Sequence, residues 1–312
     1  MTLFFVYLYA IIFISHSPFR LLSTGTTNVA TFNWTEYAFE ESNSSVVPPC
    51  PTLAFSDVQF MLSEKKAENI TAEFMKRKSA GQSRPTDCNP NSSVVMIVPF
   101  RERHRHLKQF LPYMHAFLQE HLLDYAIVVV QQPEGGIFNK ARIMNAAFLE
   151  LRKLRRFDCY VFHDVDLLPL DRRLNYECSH RGPVHMATAI DKFRYKLPYE
   201  DNFGGVVAFT GAQFEAVNGF SNRYYGWGAE DDDIYQRVQL SGQKVQRPPL
   251  NAARYRAIRH SKDPGNPKNP KKDDLNKDTK RVWKTDGLNS LNYTVLAMIN
   301  EGLYLNITVN VY

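Results

Sequence analysis

The stretch SVVMIVPF, residues 93–100, is apolar almost throughout and closes on Pro99 and Phe100. An unbroken run of that length predicts a strand buried on both faces, as in a parallel sheet. In the polar segment that follows, Leu107, Phe110, Leu111, Met114 and the Phe117–Leu118 pair recur at helical spacing, which predicts an amphipathic helix. YAIVVV at 125–130 predicts a second buried strand. Residues 139–156 return to helical spacing through Ile143, Ala147 and Leu151, and CYVFH at 159–163 predicts a third strand. Strand, helix, strand, helix, strand is the order of a doubly wound α/β sheet. Ligands of such sheets bind beyond the carboxyl ends of the strands, so chemistry is to be sought just after Phe100 and His163.

The first residues follow a different pattern. Residues 3–15, LFFVYLYAIIFIS, are almost wholly apolar, and no charged side chain precedes Arg20. A spanning helix needs about 20 apolar residues; this run is shorter, and Ser15, His16, Ser17 and Pro18 dilute its end. It reads as a cleaved signal peptide or a short signal anchor, and without a basic flank charge does not set its orientation. Either reading sends the chain into the secretory pathway. Six N-x-S/T sequons agree, at Asn33, Asn43, Asn69, Asn91, Asn292 and Asn306, each implying a surface position if glycosylated. So do four cysteines, Cys50, Cys88, Cys159 and Cys178, an even count that suggests two disulfides in an oxidising compartment. Three pairings are open; joining near neighbours, Cys50 to Cys88 and Cys159 to Cys178, is the economical one. A zinc site would want a C-x-x-C spacing, which is missing. Residues 20–49, rich in Ser, Thr and Asn, read as a stem or linker.

Composition changes the picture little. The 13% of aromatic residues suits a ring-stacking site or a well-filled core equally. A net charge of +6 admits nucleic acid as a partner, but the excess is local. Residues 262–284 hold eight Lys or Arg against four Asp, with three prolines and a glycine. That stretch reads as a loop and not as a DNA-reading helix. It is either a solvated surface segment or a mobile one beside an anionic substrate such as a nucleotide diphosphate.

Two strand ends carry charge. Arg101, Glu102 and Arg103 follow Phe100; the arginines could fork onto phosphate oxygens, or simply face solvent. His163 is followed by Asp164-Val165-Asp166. In extended chain the two aspartates share a face, and such a pair repels itself unless a cation or hydrogen-bond donors intervene. A divalent ion with diphosphate oxygens in its shell would satisfy both. Further on, glycines flank Trp227, which lets the ring stand clear as a platform for a sugar face. Glu230, Asp231, Asp232 and Asp233 then open a helix whose inner face is Ile234 and Val238. Acids at a helix start are favoured by the dipole alone, but four in a row exceed that need. Their crowding raises pKa values, as suits a general base acting on a sugar hydroxyl. His260, in RYRAIRHS, could complete a metal site or be structural.

In order and wording, the blocks VPFRERHRHL, FNKARIMNAAF, FHDVDLLP, DKFRYKLPY, FGGVVAF, NGFSNRYYGWGAEDDDI, RYRAIRHSKD and DGLNSLNYTVL resemble the β-1,4-galactosyltransferase family across residues 95–296. Cys50 and the Asp87–Cys88 pair match the family's first disulfide in position. The resemblance implies an inverting enzyme with a GT-A-type α/β fold, a Rossmann-like mixed sheet flanked by helices. It implies a Golgi membrane location, type II, with a lumenal catalytic domain at 50–312, a stem at 20–49 and an anchor at 1–19, or secretion if the anchor is cleaved. By motif match, Asp166 and His260 would bind Mn²⁺ or another divalent cation. Pro99, Phe100, Arg101, Arg103, Phe138, Lys140, Asp164, Val165, Lys192 and Asn202 would surround the UDP-sugar. Trp227 would lie between donor and acceptor. Gly205, Glu230 and Asp232 would hold a terminal GlcNAc-type acceptor, and Asp231 would be the base on its 4-hydroxyl. The implied partners are a UDP-sugar, a GlcNAc-ended glycan and a membrane, with no nucleic acid.

Three positions depart from the family pattern. Ala257 replaces a methionine ligand, and since a methyl group cannot coordinate, weaker Mn²⁺ binding or a water in its place is expected, with His163 as a candidate substitute. Asn202 replaces a tyrosine that restricts the donor to galactose, so UDP-GalNAc or UDP-GlcNAc becomes a candidate donor. Lys140 replaces an arginine and loses its bidentate fork. A non-catalytic glycan-binding protein on the same fold is the alternative reading.

Overall fold

The computed structural model describes residues 47–260 and 265–312. Its strands are β1 Gln82–Ser83, β2 Ser93–Phe100, β3 Asp124–Gln131, β4 Cys159–His163, β5 Leu167–Pro169, β6 Val184–His185, β7 Ala189–Ile190, β8 Val206–Phe209, β9 Arg254–Ala257, β10 Thr294–Asn300 and β11 Leu305–Asn310. The helices are α1 Glu64–Arg77, α2 His104–Glu120, α3 Lys140–Leu154, α4 Gly211–Ala216, α5 Glu230–Leu240 and α6 Lys272–Val282. The main sheet runs β10-β11-β3-β2-β4-β8-β6, with β1 beside β3. Strands β11, β3, β2 and β4 are mutually parallel, while β8 is antiparallel to β4. The sheet is therefore mixed, as expected, with its parallel part at the centre.

The unbroken apolar runs have a direct cause. Side chains alternate across a strand, and in β2 Val94, Met96 and Val98 enter one core with Phe110, Met114 and Phe117 of α2. Val95 and Ile97 enter the other with Ile143, Ala147, Phe148 and Leu151 of α3. A strand sandwiched between helices has no wet face, so it carries no polar alternation.

A small sheet, β5-β9-β7, lies beyond the end of β4. Its register puts Leu167 opposite Ala257 and Ala189 opposite Arg254. This pairing is what brings distant parts of the chain to one place.

The segment 262–284 departs from the expected loop. Its three prolines all precede residue 271, and α6 starts directly after them. Asp273 and Asp274 occupy its first turn and Lys280 and Arg281 its last, the charge order that a helix dipole favours.

Both near-neighbour disulfides are formed, Cys50–Cys88 and Cys159–Cys178. Asn69, Asn91 and Asn292 are exposed, but Asn306 is only 9% exposed within β11, so that sequon is closed in the folded chain. Asn33, Asn43, the segment 1–19 and most of 20–49 lie outside the described residues. Among the described residues no helix is long and apolar enough to cross a membrane.

Candidate active site

Where β4 ends, the chain turns. Asp164 N–H donates to the Gly205 carbonyl at 2.9 Å, and Leu167 N–H donates back to the Asp164 carbonyl at 3.3 Å. Asp164-Val165-Asp166 is thus a turn and not a continued strand, and the expected sharing of one strand face does not hold. The carboxylates instead take separate partners. Asp164 Oδ1 lies 2.7 Å from Lys140 Nζ, and Asp166 Oδ2 lies 3.2 Å from His260 Nε2. Burial, and then the charge of Asp164, raise the pKa of Asp166 against the pull of Lys192, His260 and Lys140. Val165 is buried, as are Pro99 and Phe100 at the end of β2.

His260 arrives through the small sheet. Ile258 N–H donates to the Asp166 carbonyl at 2.7 Å, and Ala257 N–H donates to Asp191 Oδ1 at 2.9 Å. A second histidine stands beside it: the ring centroids of His106 and His260 are 5.6 Å apart. Burial first, then the neighbouring Arg103 and His260, push the His106 pKa down. His163 is no substitute ligand, because both ring nitrogens are engaged. Its Nδ1–H donates to the Asp164 carbonyl at 2.9 Å, which leaves Nε2 to accept from the Tyr176 hydroxyl at 2.9 Å. Burial lowers its pKa to about 4.

Lys140 opens α3 directly after Asn139, whose side chain caps the helix by accepting from Arg142 N–H at 2.9 Å. Its ammonium reaches Asp164 on one side and Glu230, at 3.6 Å, on the other. Burial works against its charge, but the Asp164 and Glu230 carboxylates outweigh it and hold the pKa well above the usual lysine value.

Glu230 begins α5, just past Gly226, Trp227 and Gly228. The glycines sit at φ +84° and +116°, where a side chain would be strained. Trp227 is 62% exposed, as expected of a platform. Its backbone N–H donates to the Pro267 carbonyl at 2.8 Å, and its backbone carbonyl accepts from Asn269 N–H at 3.0 Å, so the basic segment is tied to the backbone at the tryptophan. The Asp231 pKa is raised to about 7 by burial first, then by Glu230 and Asp232. Asp232 accepts from the Tyr199 hydroxyl at 2.8 Å. Asp233 differs from its neighbours: fully buried, it accepts from Arg237 Nε at 2.5 Å and from the Thr279 hydroxyl at 2.6 Å.

Arg101 donates to the Gly136 carbonyl at 3.2 Å, with its guanidinium 4.7 Å from the centre of the Phe138 ring. Arg101 borders a groove of about 370 Å³ that also involves Glu134, Ile137, Gly265 and Pro267. Arg103 caps α2 without a side-chain bond. Asn202 accepts through its carbonyl from Arg247 at 3.2 Å and bonds Tyr199 through its side chain. Gly205 faces Leu167 and Ala187, whereas a Cβ on Gly204 would meet Asp231 Oδ2 at 2.5 Å. The glycine against the acid cluster is thus Gly204, which sequence reasoning missed, as it missed Tyr199, Asp191 and His106. The FGG wording pointed to the pair; the others lie within the DKFRYKLPY and VPFRERHRHL blocks, where nothing set these particular residues apart.

A mixed α/β sheet with an acidic turn beyond a central strand, facing a second acidic cluster through one partly buried lysine, defines a GT-A glycosyltransferase. The comparisons agree. Residues 48–179 match the N-terminal region of glycosyl transferase group 7, and residues 184–261 match the N-terminal domain of galactosyltransferase. Beta-1,4-galactosyltransferase 2 of Cricetulus griseus is 41% identical over 271 residues, covering 85% of this chain and 73% of its own. Beta-1,4-galactosyltransferase 3 of Rattus norvegicus is 42% identical, covering 86% of this chain and 69% of its own. The chain belongs to the β-1,4-galactosyltransferase family. Among solved structures, the catalytic domain of Drosophila beta1,4galactosyltransferase 7 with xylobiose superposes with a TM-score of 0.60 at 28% identity, covering 71% of this chain and 94% of that one. A mutant of that enzyme, solved with manganese, UDP-Gal and xylobiose, matches equally.

Proposed function

We propose that the chain is an inverting, metal-dependent β-1,4-glycosyltransferase that moves galactose or an N-acetylhexosamine from a UDP-sugar to a terminal GlcNAc-type acceptor. The observation that carries this reading is Lys140. By bridging Asp164 and Glu230 it joins the proposed donor side to the proposed acceptor side in one cleft.

Among the described residues no three His, Cys, Asp or Glu side chains stand arranged around a metal position. The Asp166–His260 pair nonetheless offers one carboxylate oxygen and one imidazole nitrogen in contact, donors that suit Mn²⁺, the ion found with UDP-Gal in the Drosophila relative. Bound there, Mn²⁺ would neutralise charge on the departing diphosphate. Arg101, Arg103 and Lys192 supply further positive charge for the phosphates, and Phe138 an aromatic face for the base. Trp227 offers its exposed ring to the sugars, while Glu230 and Asp232 orient the acceptor. Asp231 takes the proton from the acceptor hydroxyl as that oxygen attacks the anomeric carbon. The bond from that carbon to the diphosphate oxygen breaks, and its electron pair leaves with UDP. One displacement from the opposite face inverts the anomeric centre.

Asn202 sets the donor. Its amide is smaller than a tyrosine ring and can hydrogen-bond an N-acetyl group, so Asn202→Tyr should shift preference toward UDP-Gal. A panel of UDP-sugars with Mn²⁺ and a GlcNAc acceptor reads this out. No transfer from any donor would overturn the assignment, and an unchanged preference would overturn the role of Asn202.

We further place residues 50–312 in the Golgi lumen, behind a stem at 20–49 and a type II anchor at 1–19. Two disulfides, the mark of an oxidising compartment, and exposed sequons support this. Protease protection of the glycosylated domain in intact vesicles is the expected result.

A further inference from the structure

We propose that His106 is a third protein ligand of the metal held by Asp166 and His260; the inference rests on the metal site proposed above. His106 is 7% exposed, and its Nε2 is buried without a hydrogen-bond partner among the described residues. Nearly every buried ring nitrogen in a folded protein has a partner, and an exception asks for an ion or water to take its place. The surroundings fit an ion. Nothing else in the site uses this nitrogen, whereas the other candidate histidine, His163, has both of its nitrogens occupied.

No three such side chains among the described residues stand arranged around one position, so the ligand set would close as the ion binds, and the ring spacing is compatible with that. Imidazole nitrogens bind zinc-like ions at about 2.0–2.1 Å, and with each ring centre about an ångström further out, two rings sharing one ion stand roughly 4.5–6.5 Å apart. The His106 and His260 centroids, 5.6 Å apart at an interplanar angle of 74°, lie within that window. His106 also feels the charge of Asp166, whose carboxylate already contacts His260. On β9 the residue three before His260 is Ala257, whose methyl has no donor atom, so that place in the ligand set is open to a residue from another element. His106 can supply it from the first turn of α2. There the neighbouring Leu107 and Phe110 are buried in the core and hold the backbone in place.

The test uses the full chain in detergent, with Mn²⁺ alone and then with Mn²⁺ plus UDP. Free Mn²⁺ is titrated by electron paramagnetic resonance, and nitrogen ligands are counted by electron spin-echo modulation. Wild type should show two coordinating imidazoles. His106→Ala and the bulkier His106→Gln should each show one, with Mn²⁺ binding at least about tenfold weaker and unchanged melting of the metal-free protein. A single imidazole in wild type overturns the proposal even if neither variant folds. Unchanged modulation and affinity in the variants overturn it too, and mark His106 as a packing partner of His260. Binding that depends on Asp166 and His260 but not on His106 sinks this inference alone. Absence of Mn²⁺ binding in wild type sinks it together with the metal site.

Discussion

Asp231 shows how a residue's chemistry depends on its surroundings. Its identity and its crowded acidic neighbourhood are visible in the sequence, but the first cause of its raised pKa, about 7, is burial. A base works only when deprotonated, so kcat/KM should climb as pH rises through about 7 and level off above it. Asp231→Asn should remove that limb and lower turnover by about 10²- to 10⁴-fold, while calorimetry still detects UDP binding. A glycan-binding protein without catalysis would be indifferent to the change. The D-x-D pair shows the opposite case: the residues were legible, but the reason given for them was not. Strand alternation put both carboxylates on one face; a turn divides them between Lys140 and His260. Backbone hydrogen bonds to Gly205 and within the turn decide this, and no local pattern announces them.

At the scale of elements, α5 presents three acids to the cleft and commits the fourth to the fold. Arg237, without exposure, is held between Asp233 and Asp286, donating to the Asp286 carbonyl at 2.6 Å and to its Oδ2 at 3.2 Å. Ser221 Oγ donates to the same carboxylate at 2.5 Å. This network fastens the acidic end of α5 to the loop after α6. Arg237→Ala leaves two carboxylates facing each other in the interior, and breaking a buried pair from one side costs about 3–5 kcal/mol. Urea unfolding should show that loss; a change below about 1 kcal/mol would mean the network adds little. The sequence did not reveal it. Four successive acids look alike on paper, and only the packing of α6 on α5, with the Thr279 hydroxyl on Asp233, sets Asp233 apart. The same packing explains why α6 was misread. Prolines and lysines dominate the composition of 262–284, whereas a helix there depends on a partner.

At the scale of the whole molecule, one disulfide closes the loop ahead of β2 and the other is anchored at the start of the central strand β4. Cys159 begins β4, and its bridge to Cys178 closes the chain that carries the acidic turn. Replacing both cysteines by serine should cost about 2–5 kcal/mol, read as a lower melting temperature, with UDP binding lost in parallel as β4 loosens. Retention of both would show the bridge to be dispensable. The sequence by itself determined the central α/β layers, because burial on two faces writes itself as unbroken apolar runs and burial on one face as helical spacing. It also determined the family, because the signature blocks are local. Tertiary structure alone decided that His260 meets Asp166 through the pairing of β9 with β5, that Lys140 spans two acidic clusters, and that His106 is left with a bare nitrogen. Coulomb energy and exclusion of water depend on distances in space, and those distances are set by chain segments far apart in sequence.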